Sequence, residues 1–236
     1  MSIFAIADLH LSFAPDSDKP MDVFGSRWID HPARIKESWC SNVTEEDTVV
    51  VAGDISWGMK LADAVYDLDW VDALPGHKVM LKGNHDLWWS GINRLNSMYD
   101  SISFLQNDAY CVHQEERDIW ICGSRGWITP DDDDYTESDE KIYKREILRL
   151  RASLQFAADA AKASDREREI IGFLHMVPLQ YSTFSWSVIF SSLSISRWVT
   201  GVFGSFKSKS GYEAMPRIYP VLGSMTMAMA FCGFIL

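Results

Sequence analysis

The sequence predicts an α/β fold built on a parallel sheet, and three observations carry that prediction. Short apolar runs give way to polar loops at residues 2–7 into Asp8-Leu9-His10, 48–52 into Gly53-Asp54, and 78–82 into Gly83-Asn84-His85-Asp86. A buried run of this length that ends in a loop reads as a strand of a sheet whose C-terminal edge carries the chemistry. Between the second and third runs, Leu61, Ala64, Val65, Leu68, Val71 and Leu74 recur at three- and four-residue steps before Pro75-Gly76. That spacing is an amphipathic helix with its stop signal, and strand, helix and strand in succession imply parallel pairing through right-handed crossovers.

The other elements follow in order. Residues 11–25, rich in Pro, Asp and Ser, read as a long loop beside the Asp8/His10 pair, and residues 30–39 as a short helix. Residues 109–113 and 118–122 alternate around Gln114-Glu115-Glu116-Arg117, which is a hairpin signal. Asp131 to Asp134 read as a solvated acidic loop rather than a metal site. Tyr143, Ile147, Leu150, Leu154, Ala157 and Ala161 mark one face of a long helix, and residues 169–174 form a strand that ends at His175.

Composition bounds the function. The 236 residues suit one ordinary domain with a sizeable core, and 22 basic against 33 acidic side chains give a net charge of −11. A polyphosphate backbone would be repelled, so strong nucleic-acid binding is not expected, whereas a small phosphorylated substrate held through cations is compatible. Cys40, Cys111, Cys122 and Cys232 stand at unrelated spacings and read as reduced thiols. No basic stretch or cleavage site precedes the first strand, so the cytoplasm is the expected compartment.

An oxygen and a nitrogen ligand two residues apart, as in Asp8-Leu9-His10, suit Mn, Fe, Zn or similar ions. Alone, each short motif is weak: Asp8 and His10 can be loop polar groups, Asp54 a helix cap, and Asn84 and Asp86 turn residues bonding their own backbone. Three such motifs in one order and one strand-then-loop setting are not.

Taken together, Ala7-Asp8-Leu9-His10, Gly53-Asp54, Gly83-Asn84-His85-Asp86 and Phe173-Leu174-His175 resemble the signature of the calcineurin-like metallophosphoesterase superfamily over residues 1–176. Gly53-Asp54-Ile55-Ser56-Trp57 and Trp88-Trp89 make the chain look most like its bacterial, uncharacterised cytoplasmic phosphohydrolases. The resemblance implies a four-layer αββα sandwich and two divalent metal ions. One ion would take Asp8 and His10 and the other Asn84 and His175, with Asp54 bridging them. His85 would act as the catalytic acid or transition-state stabiliser, and Asp86 would orient its ring. The activity implied is hydrolysis of a phosphomonoester or phosphodiester. Trp57, Trp88 and Trp89 read either as stacking surfaces for a leaving group or as packing, and Arg125 either as a phosphate clamp or as a surface arginine. His31, His77 and His113 read as ordinary histidines.

The superfamily's last element, Gly-His-x-His, is missing, because no histidine follows His175. Glu213 is the sole acidic residue beyond that point, and residues 218–236 are uncharged and mostly apolar. A reading frame shifted after His175 or a membrane-anchoring tail would each produce this break, and the first is preferred because clean periodicity is lost as well. Residues 177–236 are therefore expected to supply neither the last strands nor the histidine pair. The alternative function is a phosphate-binding relative that lost activity with its last two ligands.

Overall fold

The computed structural model describes residues 1–17 and 19–176, and beyond them the backbone of four strands at 197–200, 207–208, 211–212 and 219–220. The chain divides into two units, with residues 1–104 forming most of the first and residues 105–201 most of the second. The fold class is α/β, and the two principal sheets with their helices are the constituents expected of an αββα fold.

In the first unit, β1 (Ile3–Ile6), β2 (Thr48–Val51), β3 (His77–Met80) and β4 (Ile102–Phe104) pair in parallel, in that spatial order. Ile6, Val51 and Met80 stand level, so the loops that follow them leave the sheet side by side. Helices α1 (His31–Asn42) and α2 (Leu61–Asp72) cover one sheet face. Ile35 and Trp39 of α1 and Ala64, Leu68 and Val71 of α2 share a core with Phe4, Ile6, Val49, Val51 and Met80. Ala5, Val50 and Val79 on the alternate face are also buried, which is why these strands read as continuous apolar runs. A short helix, α3 (Ile92–Leu95), precedes β4.

In the second unit, β5 (Ala109–His113) and β6 (Arg117–Ser124) form the expected hairpin, with β6 longer than its sequence pattern indicated. Helix α4 (Glu137–Lys162) begins six residues before the first apolar marker because Thr136 and Asp139 form a reciprocal capping box, a start signal that lies outside the apolar stripe. The strand β7 (Glu167–Leu174) pairs in parallel with β6, and Leu150, Leu154, Ala157 and Ala161 pack on Cys122, Ile170 and Leu174.

The expectation that nothing beyond His175 joins the sheets is corrected. The strand β8 (Arg197–Thr200) pairs in parallel with β7, β9 (Lys207–Ser208) and β10 (Gly211–Tyr212) pair with each other, and β11 (Tyr219–Pro220) lies antiparallel to β1. Both outer edges have backbone donors and acceptors that a neighbour can satisfy, and register rather than side-chain periodicity decides such short pairings. The composition break and the apolar run at 218–236 otherwise lie outside the described residues, as does the missing histidine pair. Among the described residues, no helix is long and apolar enough to cross a membrane.

Candidate functional site

The loops after β1 and β2 stay paired beyond the strands. The backbone N–H groups of Asp8, His10 and Leu11 donate to the carbonyls of Gly53, Asp54 and Ile55, each at 3.0 Å. To keep this pairing while turning their side chains inward, Asp8, His10 and Asp54 adopt φ of 56°, 45° and 53°. This left-handed conformation is costly for a non-glycine residue and persists where surrounding structure enforces it, commonly at functional sites.

The three side chains are 2–4 % exposed. His10 Nε2 lies 3.4 Å from Asp8 Oδ1 and 3.8 Å from Asp54 Oδ2, longer than good hydrogen bonds but close to the spacing of ligands sharing one cation. His10 Nδ1 is buried with no hydrogen-bond partner among the described residues. Two buried carboxylates facing one imidazole are unfavourable without a compensating cation. The donor set thus fits a divalent transition metal.

The loop after β3 closes around Asp54. Its Oδ1 accepts the backbone N–H of His85 at 2.8 Å, and a β-carbon at Gly83 would overlap the Asp54 carboxylate and amide. Glycine is required there by close approach rather than by an unusual turn. Asn84 and His85 are half-buried on this loop.

Asp86 is fully buried, and its carboxylate gathers donors from the loops after β2 and β3. One oxygen accepts the N–H groups of Ile55 at 2.9 Å and Ser56 at 3.3 Å and the Trp88 indole at 3.1 Å, and the other accepts Asp54 at 2.9 Å and Gly83 at 2.7 Å. Burial, with the Asp54 carboxylate adding to it, pushes Asp86 up to about 6, which still leaves it ionised at neutral pH. It fastens the β2 and β3 loops together.

Of the three tryptophans, only Trp57 is at the site. Its ring stacks on His10 at 4.8 Å and 22° and lies 4.7 Å from the His85 ring, with Lys19 Nζ 5.0 Å from its centroid. Trp88 and Trp89 are core residues packed against Phe104. Arg125 is neither clamp nor surface residue: its guanidinium pairs with the buried Glu146 carboxylate at 2.9 Å and covers the Trp127 ring.

Support for the site also comes from residues whose sequence gave no such signal. His31 is buried, and its Nε2 lies 3.0 Å from the carbonyl of Leu9, the residue between Asp8 and His10. Asp67 of α2, also buried, accepts the Ser56 hydroxyl and the backbone N–H of Phe13, tying together the loops after β1 and β2. In the second unit, His175 is buried immediately after β7.

Comparison with known proteins adds two partial likenesses. The Gene 66 protein of Mycobacterium phage L5 is 39 % identical over 57 residues, a match spanning 24 % of this chain and 27 % of that protein. A crystal structure of AQ665, a protein of unknown function from Aquifex aeolicus, aligns over 85 % of this chain and 89 % of its own, at 16 % identity and a TM-score of 0.39. The family model for calcineurin-like phosphoesterases matches residues 1–187, the span that holds every motif element above, and the chain belongs to that family.

Proposed function

We propose that this protein hydrolyses a small phosphomonoester or phosphodiester at a centre holding two divalent ions of the Mn, Fe or Zn type. The observation that carries the reading is the buried Asp8–His10–Asp54 cluster, two carboxylates and an imidazole held together in left-handed backbone. Asp8, His10 and Asp54 would hold one ion, and Asp54, Asn84 and His175 the other. When bound, such a pair lowers the pKa of water and offsets charge developing at phosphorus.

The remaining work falls to the chain. The His85 imidazole, beside Trp57, gives its proton to the leaving oxygen, and the backbone N–H of the same residue fixes the Asp54 carboxylate. Trp57 covers one face of His10 and limits water there. The acidic balance of the chain supports a small substrate over a nucleic acid.

Asp54→Asn is expected to reduce metal content more than any other single change, measured by elemental analysis after loading with manganese. Unchanged stoichiometry would refute the bridging assignment. His85→Ala is expected to keep its metal and lose about 10²- to 10⁴-fold in turnover of p-nitrophenyl or bis-p-nitrophenyl phosphate. Loss of metal with His85 would make it a ligand. The absence of any histidine after His175 favours a second reading, an impaired phosphate-binding relative. One weakly held ion and no turnover in the unaltered chain would establish that reading instead.

A further inference from the structure

We infer that Cys111, His113 and Asp118 form a separate transition-metal site on the β5–β6 hairpin, suited to zinc. Cys111 and His113 lie two apart on β5 and so face the same side, and Asp118 of β6 stands directly opposite His113. One oxygen or nitrogen or sulfur atom from each lies within 4.8 Å of the others. Cys111 Sγ is 3.7 Å from His113 Nδ1, and the same Nδ1 is 2.9 Å from Asp118 Oδ1. Ligands at about 2.3 Å for sulfur and 2.0 Å for nitrogen on a tetrahedral ion stand roughly 3.5 Å apart, so small side-chain rotations suffice.

The convergence on one nitrogen is informative. A hydrolytic Cys-His-Asp relay uses the two ring nitrogens for different partners, whereas both partners here approach Nδ1. A single Nδ1 proton cannot serve both well, but a cation can serve all three.

Asp118 is buried and oriented for the task, with Oδ2 accepting the Ser164 hydroxyl and Oδ1 the Arg166 Nε, both at 2.9 Å. Arg166 is itself fixed by the carbonyls of Gln114 and Glu115 in the hairpin turn. These are outer contacts of the kind that orient ligating carboxylates. His113 is exposed, which leaves an entry path and room for a water in the fourth position. On binding, the Cys111 proton leaves to solvent as the sulfur–metal bond forms, and the imidazole keeps its proton on Nε2. Asp118 is level with Arg168 on β7, six residues before Leu174, so the site lies roughly 20 Å from the strand end that carries His175.

The test is titration of the reduced full-length chain with cobalt(II), followed by the near-ultraviolet sulfur-to-cobalt charge-transfer band. None of the residues assigned to the phosphoesterase centre carries sulfur, so that centre is silent in this band whether or not it is catalytic. The unaltered chain is expected to develop the band and lose it on addition of zinc. Cys111→Ser should abolish it, Cys40→Ser should leave it intact, and His113→Ala should shift the titration midpoint upward at least about tenfold. Circular dichroism confirms that the variants fold. No band in the unaltered chain, or a band that survives Cys111→Ser, overturns the assignment.

Discussion

Asp86 and Asp54 are both buried carboxylates, yet their oxygens do different things. Asp54 has one oxygen on the His85 amide and the other toward His10, whereas Asp86 has both oxygens surrounded by N–H groups of the loops it joins. Removing Asp86 strands those donors in a dry interior, where each unsatisfied group costs on the order of 1–3 kcal/mol. Asp86→Ala is therefore expected to destabilise the protein by about 3–5 kcal/mol, which lowers the melting temperature by roughly 10 °C in a chain of this size. His85→Ala should melt within about 2 °C of the unaltered chain, because its backbone amide is retained. Differential scanning calorimetry of the two variants separates a fastening residue from a reacting one, and equal melting temperatures would show that Asp86 does not hold the loops. The contrast was not legible in Gly83-Asn84-His85-Asp86, since adjacent letters do not say which carboxylate meets distant amides. Asp8, His10 and Asp54 were legible because a strand ending in a loop fixes where such side chains are delivered. His31 and Asp67 were not, because their partners, Leu9, Ser56 and Phe13, are remote in sequence.

At the scale of elements, apolar patterning located α2, β1, β2, β3 and β7 to within a few residues, because each buries a stripe or a face in a core, whereas the three-residue β4 is too short to show a pattern. Polar chemistry set the boundaries that spacing missed. The first turn of α4 is held by Asp139, whose Oδ2 accepts the Thr136 backbone N–H at 2.9 Å and the Thr136 hydroxyl, while its Oδ1 accepts the Trp127 indole at 2.9 Å. The hydrogen bonds from Thr136, then that from Trp127, hold this carboxyl below its usual range. A carboxylate whose folded pKa is depressed contributes stability above its unfolded pKa, and that contribution is lost as pH falls through the folded value. The cap is thus intact at neutral pH and fails under acid, below about pH 4. Asp139→Asn should be less stable than the unaltered chain at neutral pH, with the difference shrinking toward pH 2. Urea midpoints across that range provide the measurement. A constant difference would mean that the ionised carboxylate is not what caps the helix.

For the whole molecule, the chain beyond His175 bears on the proposed centre through the ligands it would supply. The family signature calls for Gly-His-x-His there, and Gly201-Val202-Phe203-Gly204 follows β8, which pairs with β7 so that Thr200 stands level with Leu174. Without a histidine pair, Asp8, His10 and Asp54 would hold one ion of the proposed centre and Asp54, Asn84 and His175 the other, and so few protein ligands would weaken affinity without abolishing it. The double substitution Val202→His with Gly204→His restores Gly-His-x-His to the sequence directly after β8. It is expected to tighten manganese binding about tenfold or more, read by calorimetric titration, and to raise turnover of bis-p-nitrophenyl phosphate with it. Because charge and histidine are both lost after His175, the gene read in its alternative frame after codon 175 is expected to encode Gly-His-x-His near this point. Unchanged manganese affinity in the double variant, together with no such motif in the other frame, would mean that the chain completes its centre without these histidines.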